Sequence, residues 1–119
     1  MPENNMTDKV TYAPFILMDT GKHRSLLLTD NHMADKAHIF EERRDEGWIG
    51  SGYDWNSIAQ VVVAEQLSEL RGELTFDPEG GMFSAGGSRS ALERLGSAMS
   101  KVFHCDDAIR DLLSRAELD

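Results

Sequence analysis

The sequence predicts an α+β fold: an antiparallel sheet built from two β-hairpins, with amphipathic helices packed on it. Three observations carry this prediction. A strand–turn–strand pattern occurs twice, over Tyr12–Asp30 and over Glu73–Ala85. Each is followed by segments whose apolar residues recur with a helical period. The 119 residues are enough for one core and too few for two ordinary domains, so residues 1–119 read as a single domain.

The polar start, "MPENNMTDK", reads as part of a flexible segment over residues 1–11. "YAPFILMD" (Tyr12–Asp19) and "RSLLLTD" (Arg24–Asp30) read as strands, and "TGKH" between them offers Gly21 for a positive φ. Their consecutive apolar residues predict strands largely covered on both faces, or strands central in the sheet. "DKAHIFEERRDE" (Asp35–Glu46) reads as one helix stopped by Gly47. Asp54 is the expected N-cap of a helix from Trp55 to Leu70, with Trp55, Ile58, Ala59 and Val62 on its apolar line. Its "VVV" run also fits a strand, but the helical period continues on both sides and Gly72 ends it. "ELTFD" and "MFSA" read as short strands joined by "PEGG", where Pro78 fixes φ and the glycines permit left-handed backbone. Ser88 then caps a helix whose stripe is Leu92, Leu95, Gly96, Met99, Val102 and Phe103. Asp106 reads as the cap of a last short helix carrying Ile109, Leu112, Leu113 and Ala116.

The formal net charge is −9. Phosphate backbones are bound by Lys and Arg, so direct nucleic-acid binding is disfavoured. The acidic surface serves solubility on one reading and steers a basic partner on the other. The longest apolar runs, "FILM" and "LLL", fall far short of the ~20 residues that span a bilayer. No membrane partner is expected. One cysteine, Cys105, allows no intramolecular disulfide, and no basic-then-apolar leader is visible; both point to the cytoplasm.

No catalytic constellation emerges. The histidines (His23, His32, His38, His104) show no i, i+4 pair, so no metal is expected. Cys105 sits between His104 and Asp106, but sequence neighbours point apart, and the simpler reading is a small, at least half-buried residue where two helices join. Neither "GWIGSG" nor "EGGMFSAGGS" has the lysine of a phosphate-binding loop, and no cofactor is implied. Asp77, at a strand end before Pro78, reads as an acceptor for turn amides ahead of an acid–base role.

Two stretches carry a resemblance. Gly52-Tyr53-Asp54-Trp55 in "GSGYDW", followed by Phe76-Asp77-Pro78-Glu79 and Gly81-Met82-Phe83 in "FDPEGGMF", resembles the immunity protein 51 family of bacterial polymorphic toxin systems. "PFIL", "IFEER" and "DLLSRAEL" fit it, so it runs from about Pro14 to the end. The resemblance implies a cytoplasmic α+β protein, not an enzyme, that binds and neutralises a cognate toxin domain in bacterial competition. It hands over no interface.

Within "GWIGSGYDW", Trp55 begins a buried helix side and Tyr53 is half-in, its hydroxyl needing a partner. Trp48 lies outside any periodic stripe and reads as an exposed binding anchor. Asp45 and Glu46 are its charged surround and Glu79 a further acidic contact. Two other functions stay open on the residues alone: a small enzyme with a cleft around Tyr53, Asp77 or His104, and an adaptor domain without a toxin.

Overall fold

The computed structural model describes residues 6–118. Its centre is a five-stranded antiparallel sheet. The strands are β1 (Met6–Asp8), β2 (Ile16–Asp19), β3 (Arg24–Thr29), β4 (Leu74–Phe76) and β5 (Met82–Gly87), in the order β1-β2-β3-β5-β4. Both predicted hairpins form, β2–β3 and β4–β5, and they join into one sheet because β3 pairs antiparallel with β5. Gly21 takes φ +84° in the first hairpin turn, as expected. In the second turn neither Gly80 nor Gly81 uses a positive φ.

The first strand starts later than the sequence suggested. Residues 11–15 turn instead, with the Phe15 N–H donating to the Tyr12 carbonyl at 2.9 Å. Of the segment expected to be flexible, residues 1–5 lie outside the described residues, while Met6–Asp8 is hydrogen-bonded to β2 as an edge strand.

The strands are covered on one face only. Leu17, Leu26, Leu28, Phe83 and Ala85 are buried on the helix side. Ile16, Met18, Leu27 and Met82 alternate to the other face, stay partly exposed, and stand apart from the core cluster. Consecutive apolar residues signalled two covered faces or central strands; β3 is central in the sheet, while the structure buries every second residue and frames the rest with Ser25, Thr29 and Ser84.

Five helices follow among the described residues: α1 (Asp30–Ala34), α2 (Ala37–Glu41), α3 (Gly52–Gln66), α4 (Arg89–Phe103) and α5 (Asp106–Leu113). The helix expected over Asp35–Glu46 is reduced to α2 and a 3-10 turn at Arg44–Glu46, and α1 precedes it where no helix was expected. Ile39 and Phe40 are its only buried residues between 37 and 46, too little apolar surface to hold a longer helix on the core. The "VVV" run is helical, and α3 is buried almost all round. The predicted α4 stripe is buried throughout, and Ser88 Oγ accepts from the Ala91 N–H at 3.2 Å. The α5 cap is Cys105, not Asp106, and Cys105 is exposed where it was expected at least half-buried. Trp55 is fully buried at the core centre, with ring centroids of Phe40, Phe103 and Phe15 at 5.4, 5.6 and 6.4 Å.

Candidate functional site

The start of α3 is clamped from two sides. Its N-cap is Ser51, whose Oγ accepts from the Asp54 N–H at 3.3 Å, so Asp54 lies in the first turn and not at the cap. Freed from capping, Asp54 Oδ2 accepts from the Ile49 and Gly50 N–H groups, both at 2.7 Å, and closes the preceding loop. Gly47 and Gly50 make that loop possible with φ +105° and +86°.

On the other side α3 meets the β4–β5 turn. The Gly52 N–H donates to the Gly80 carbonyl at 3.0 Å. A Cβ on Gly52 would stand 2.0 Å from the Glu79 oxygen and 2.3 Å from the Met82 oxygen. "GSGYDW" and "FDPEGGMF" therefore touch, backbone against backbone, at a place where only glycine fits. Phe83 and Trp55 behind them both stack edge-on against Phe15. Phe76 is partly buried against the same core.

The loop sorts its side chains. Trp48 is only 2% exposed and belongs to the core, so it is not the exposed anchor that its place in the sequence suggested. Burying an indole removes more apolar area from water than burying an isoleucine, and with glycines at 47 and 50 the chain can turn it inward. Its neighbour Ile49 is left 67% exposed. Tyr53 is 46% exposed, and its hydroxyl has no hydrogen bond among the described residues, against the half-buried, partnered side chain expected.

Leu118, 49% exposed, lies over Gly47, near enough that a Cβ there would meet its Cδ1 at 2.7 Å. Ile49, Tyr53 and Leu118 are three of the five large exposed hydrophobic residues described, and with Gly47, Ser51 and Asp54 they line one cleft of about 470 Å³. Such clustering marks interaction sites more than scattered exposure does. A second hollow of about 380 Å³ is also lined by Leu118, with Gln60, Ala64 and Glu117.

The charge around the cleft is mostly acidic. Asp45 is exposed and has no ion pair among the described residues; Glu46 pairs with Arg43 at 3.0 Å. Glu117, next to Leu118, is also exposed and has no ion pair among the described residues. Arg115 is held by Glu65 through two hydrogen bonds of 2.7 and 2.9 Å and by Asp111 at 2.9 Å, so its charge is answered. The Arg115 hydrogen bonds hold the Glu65 carboxyl below its usual range. Arg44, the other nearby cation, lines a shallow dent with Glu41, Trp48 and Ile49. Glu79 stands exposed on the hairpin turn that abuts Gly52.

The groups weighed for catalysis do not converge. Tyr53 lines the cleft but Asp77 does not. Asp77 makes no side-chain hydrogen bond to turn amides; its N–H donates to the Ser84 carbonyl at 3.0 Å. His104 Nε2 lies 2.9 Å from the Ala13 carbonyl. Among the described residues no three His, Cys, Asp or Glu side chains are placed to hold a metal ion. Among the described residues no helix is long and apolar enough to cross a membrane.

Ile49 and Leu118 were not singled out from the sequence. The available signal was negative: Leu118 falls off the Ile109–Leu112–Leu113–Ala116 stripe, and Ile49 neighbours a larger aromatic that competes for burial.

The family model described as Immunity protein 51 matches residues 15–118. No curated protein and no solved structure matches the chain. The chain belongs to the immunity protein 51 family, whose members act on a protein partner, a toxin.

Proposed function

We propose that this protein is a single-domain cytoplasmic immunity protein that neutralises a cognate, basic toxin domain by occupying the surface the toxin needs, with no chemistry of its own. The observation that carries the reading is the cleft of Ile49, Tyr53 and Leu118, whose lining residue Gly47 directly follows the exposed Asp45 and Glu46 in the chain, on a protein of net charge −9. An apolar centre within a charged rim is the usual anatomy of a protein interface. The acidic rim serves association rate and partner choice; the apolar residues serve the lifetime of the complex.

The test is stopped-flow association with the toxin domain encoded beside this protein, across a salt series. Association slows as salt rises, because screening shortens the reach of the acidic field. Reversing Asp45 and Glu46 to lysine lowers the association rate and flattens its salt dependence. A rate indifferent to salt refutes the basic partner and leaves the acidic surface a solubility device. Failure of the wild-type protein to bind or protect against that toxin refutes the immunity role itself.

A further inference from the structure

We infer that the cleft seats an arginine side chain presented by the partner, its stem against Ile49, Tyr53 and Leu118 and its guanidinium on Asp54. The inference deepens the proposed function and rests on it for the partner's identity.

Asp54 is the reason. It is 5% exposed, yet it lines the cleft. Its Oδ2 already accepts two N–H groups, from Ile49 and Gly50. Its Oδ1 has no hydrogen-bond partner among the described residues. Nor is Oδ1 sealed in the interior, as the unpartnered Trp55 Nε1 and Asn56 Oδ1 are. A carboxylate oxygen with open lone pairs and no cation at hand is costly to desolvate, and a cationic donor offsets that cost. No arginine, lysine or histidine of the described chain forms an ion pair with Asp54.

The walls choose the shape of the donor. Three apolar side chains suit the methylene stem of a long cationic residue, which buries its carbons while its head stays polar. Tyr53 adds an aromatic face on which a guanidinium stacks. Arginine fits better than lysine: its planar fork bonds Oδ1 and keeps donors free for the rim carboxylates, and it is shed of water more readily than an ammonium. The cations already nearby do not compete for Asp54, since Arg43 and Arg115 are committed to Glu46, Glu65 and Asp111. Arg44 is the exception, and it stands at the neighbouring dent.

The experiment uses the full chain and two probes. The first is the peptide acetyl-Gly-Arg-Gly-amide, titrated with backbone-amide NMR, beside its neutral citrulline counterpart. The arginine peptide gives saturable shifts at Ile49, Gly50, Asp54 and Leu118, and citrulline binds at least about tenfold more weakly, as expected for losing one charge-assisted hydrogen bond. Asp54→Asn keeps an acceptor for the two loop amides and abolishes the preference for arginine over citrulline. Ile49→Ala and Tyr53→Ala alter exposed side chains, leave the fold intact and weaken the arginine peptide. Equal binding of the two peptides, or shifts centred elsewhere on the surface, overturns the inference. The second probe is the toxin domain itself. If it binds wild type, Asp54→Asn and Tyr53→Ala equally well, the cleft is not the contact and the immunity role stands. If the peptide seats as described but the toxin is not bound, the immunity role falls and the arginine site stands.

Discussion

Replacing Gly52 with alanine tests whether the two signature stretches are a structural joint. The added Cβ would stand 2.0 Å from the Glu79 carbonyl oxygen, 2.3 Å from that of Met82 and 2.6 Å from the Met82 carbonyl carbon. All three atoms are backbone, so no rotamer change relieves the clash; the 79–82 turn or the first turn of α3 must move by more than 1 Å to restore ordinary contact. That movement strains the Gly52 N–H to Gly80 carbonyl bond, which contributes about 1 kcal/mol. Overpacking by one methyl costs about 1–3 kcal/mol, and the better helix propensity of alanine returns up to about 1 kcal/mol. The net expectation is a loss of about 1–3 kcal/mol, a large part of a typical total of ~5–15 kcal/mol. With a urea slope of about 1.5 kcal/mol/M, the midpoint falls by roughly 0.7–2 M. Gly80 and Gly81 face open space, so alanine at either site is the control and shifts stability by no more than about 0.5 kcal/mol. A Gly52→Ala midpoint equal to wild type, or above it, refutes the joint and leaves only helix propensity.

Trp48→Ala lowers stability by about 3–5 kcal/mol, since a fully packed indole is removed from the core; a thermal melt unchanged by the substitution would put Trp48 back on the surface. Leu95→Ala, in the middle of the α4 stripe, costs about 2–5 kcal/mol by urea titration, and an unmoved midpoint means the wrong face was assigned. Stability declines in acid. Asp19 is held below its ordinary value of 3.8 by the Gly21 N–H, then by Arg24 and Arg89, and Glu42 is held below 4.5 by hydrogen bonds from Arg110. Groups with depressed folded values stabilise above the unfolded value, and that contribution is lost as pH falls through the folded one. The urea midpoint is therefore level from neutrality to about pH 5 and drops below about pH 4, and a flat profile down to pH 3 contradicts it.

The elements with strong periodicity were legible. The α4 stripe, the Ser88 cap, the Gly21 turn and both hairpins stand where their residues placed them, because local chemistry and burial agree there. What failed was decided by tertiary contact. The helix expected over Asp35–Glu46 breaks because its second half has no core to rest on. β1 is too short and polar to announce itself and exists only because β2 offers an edge. Asp54 looks like a cap in sequence, but Ser51 takes the capping bond and leaves the carboxylate to the loop amides. For the candidate site, the exposure of Asp45 and Glu46 agrees with the sequence reading and the burial of Trp48 does not. Deciding between Trp48 and its neighbours requires knowing which way Gly47 turns the chain.

The cleft gains from this joint a property its composition alone does not give. Tyr53 follows Gly52, which is pinned to the hairpin turn; Ile49 donates its N–H to Asp54; Leu118 is three residues past Arg115, which Glu65 holds through two hydrogen bonds. The Tyr53 and Ile49 walls of the cleft are thus tied to different parts of the fold by short covalent or hydrogen-bonded links. A binding surface assembled this way has little freedom left to lose on association, and ordering a rotamer-rich side chain at an interface otherwise costs ~0.5–1.5 kcal/mol each. Gly52 and Asp54 then differ in their bearing on a partner: Gly52 is buried, while Asp54 lines the cleft. Under the proposed function, loosening the joint lowers affinity through the off-rate, without altering the salt dependence proposed for Asp45 and Glu46. Rim charge and core joint are therefore separable in the same kinetic experiment, one in how association responds to salt and the other in how long the complex lasts.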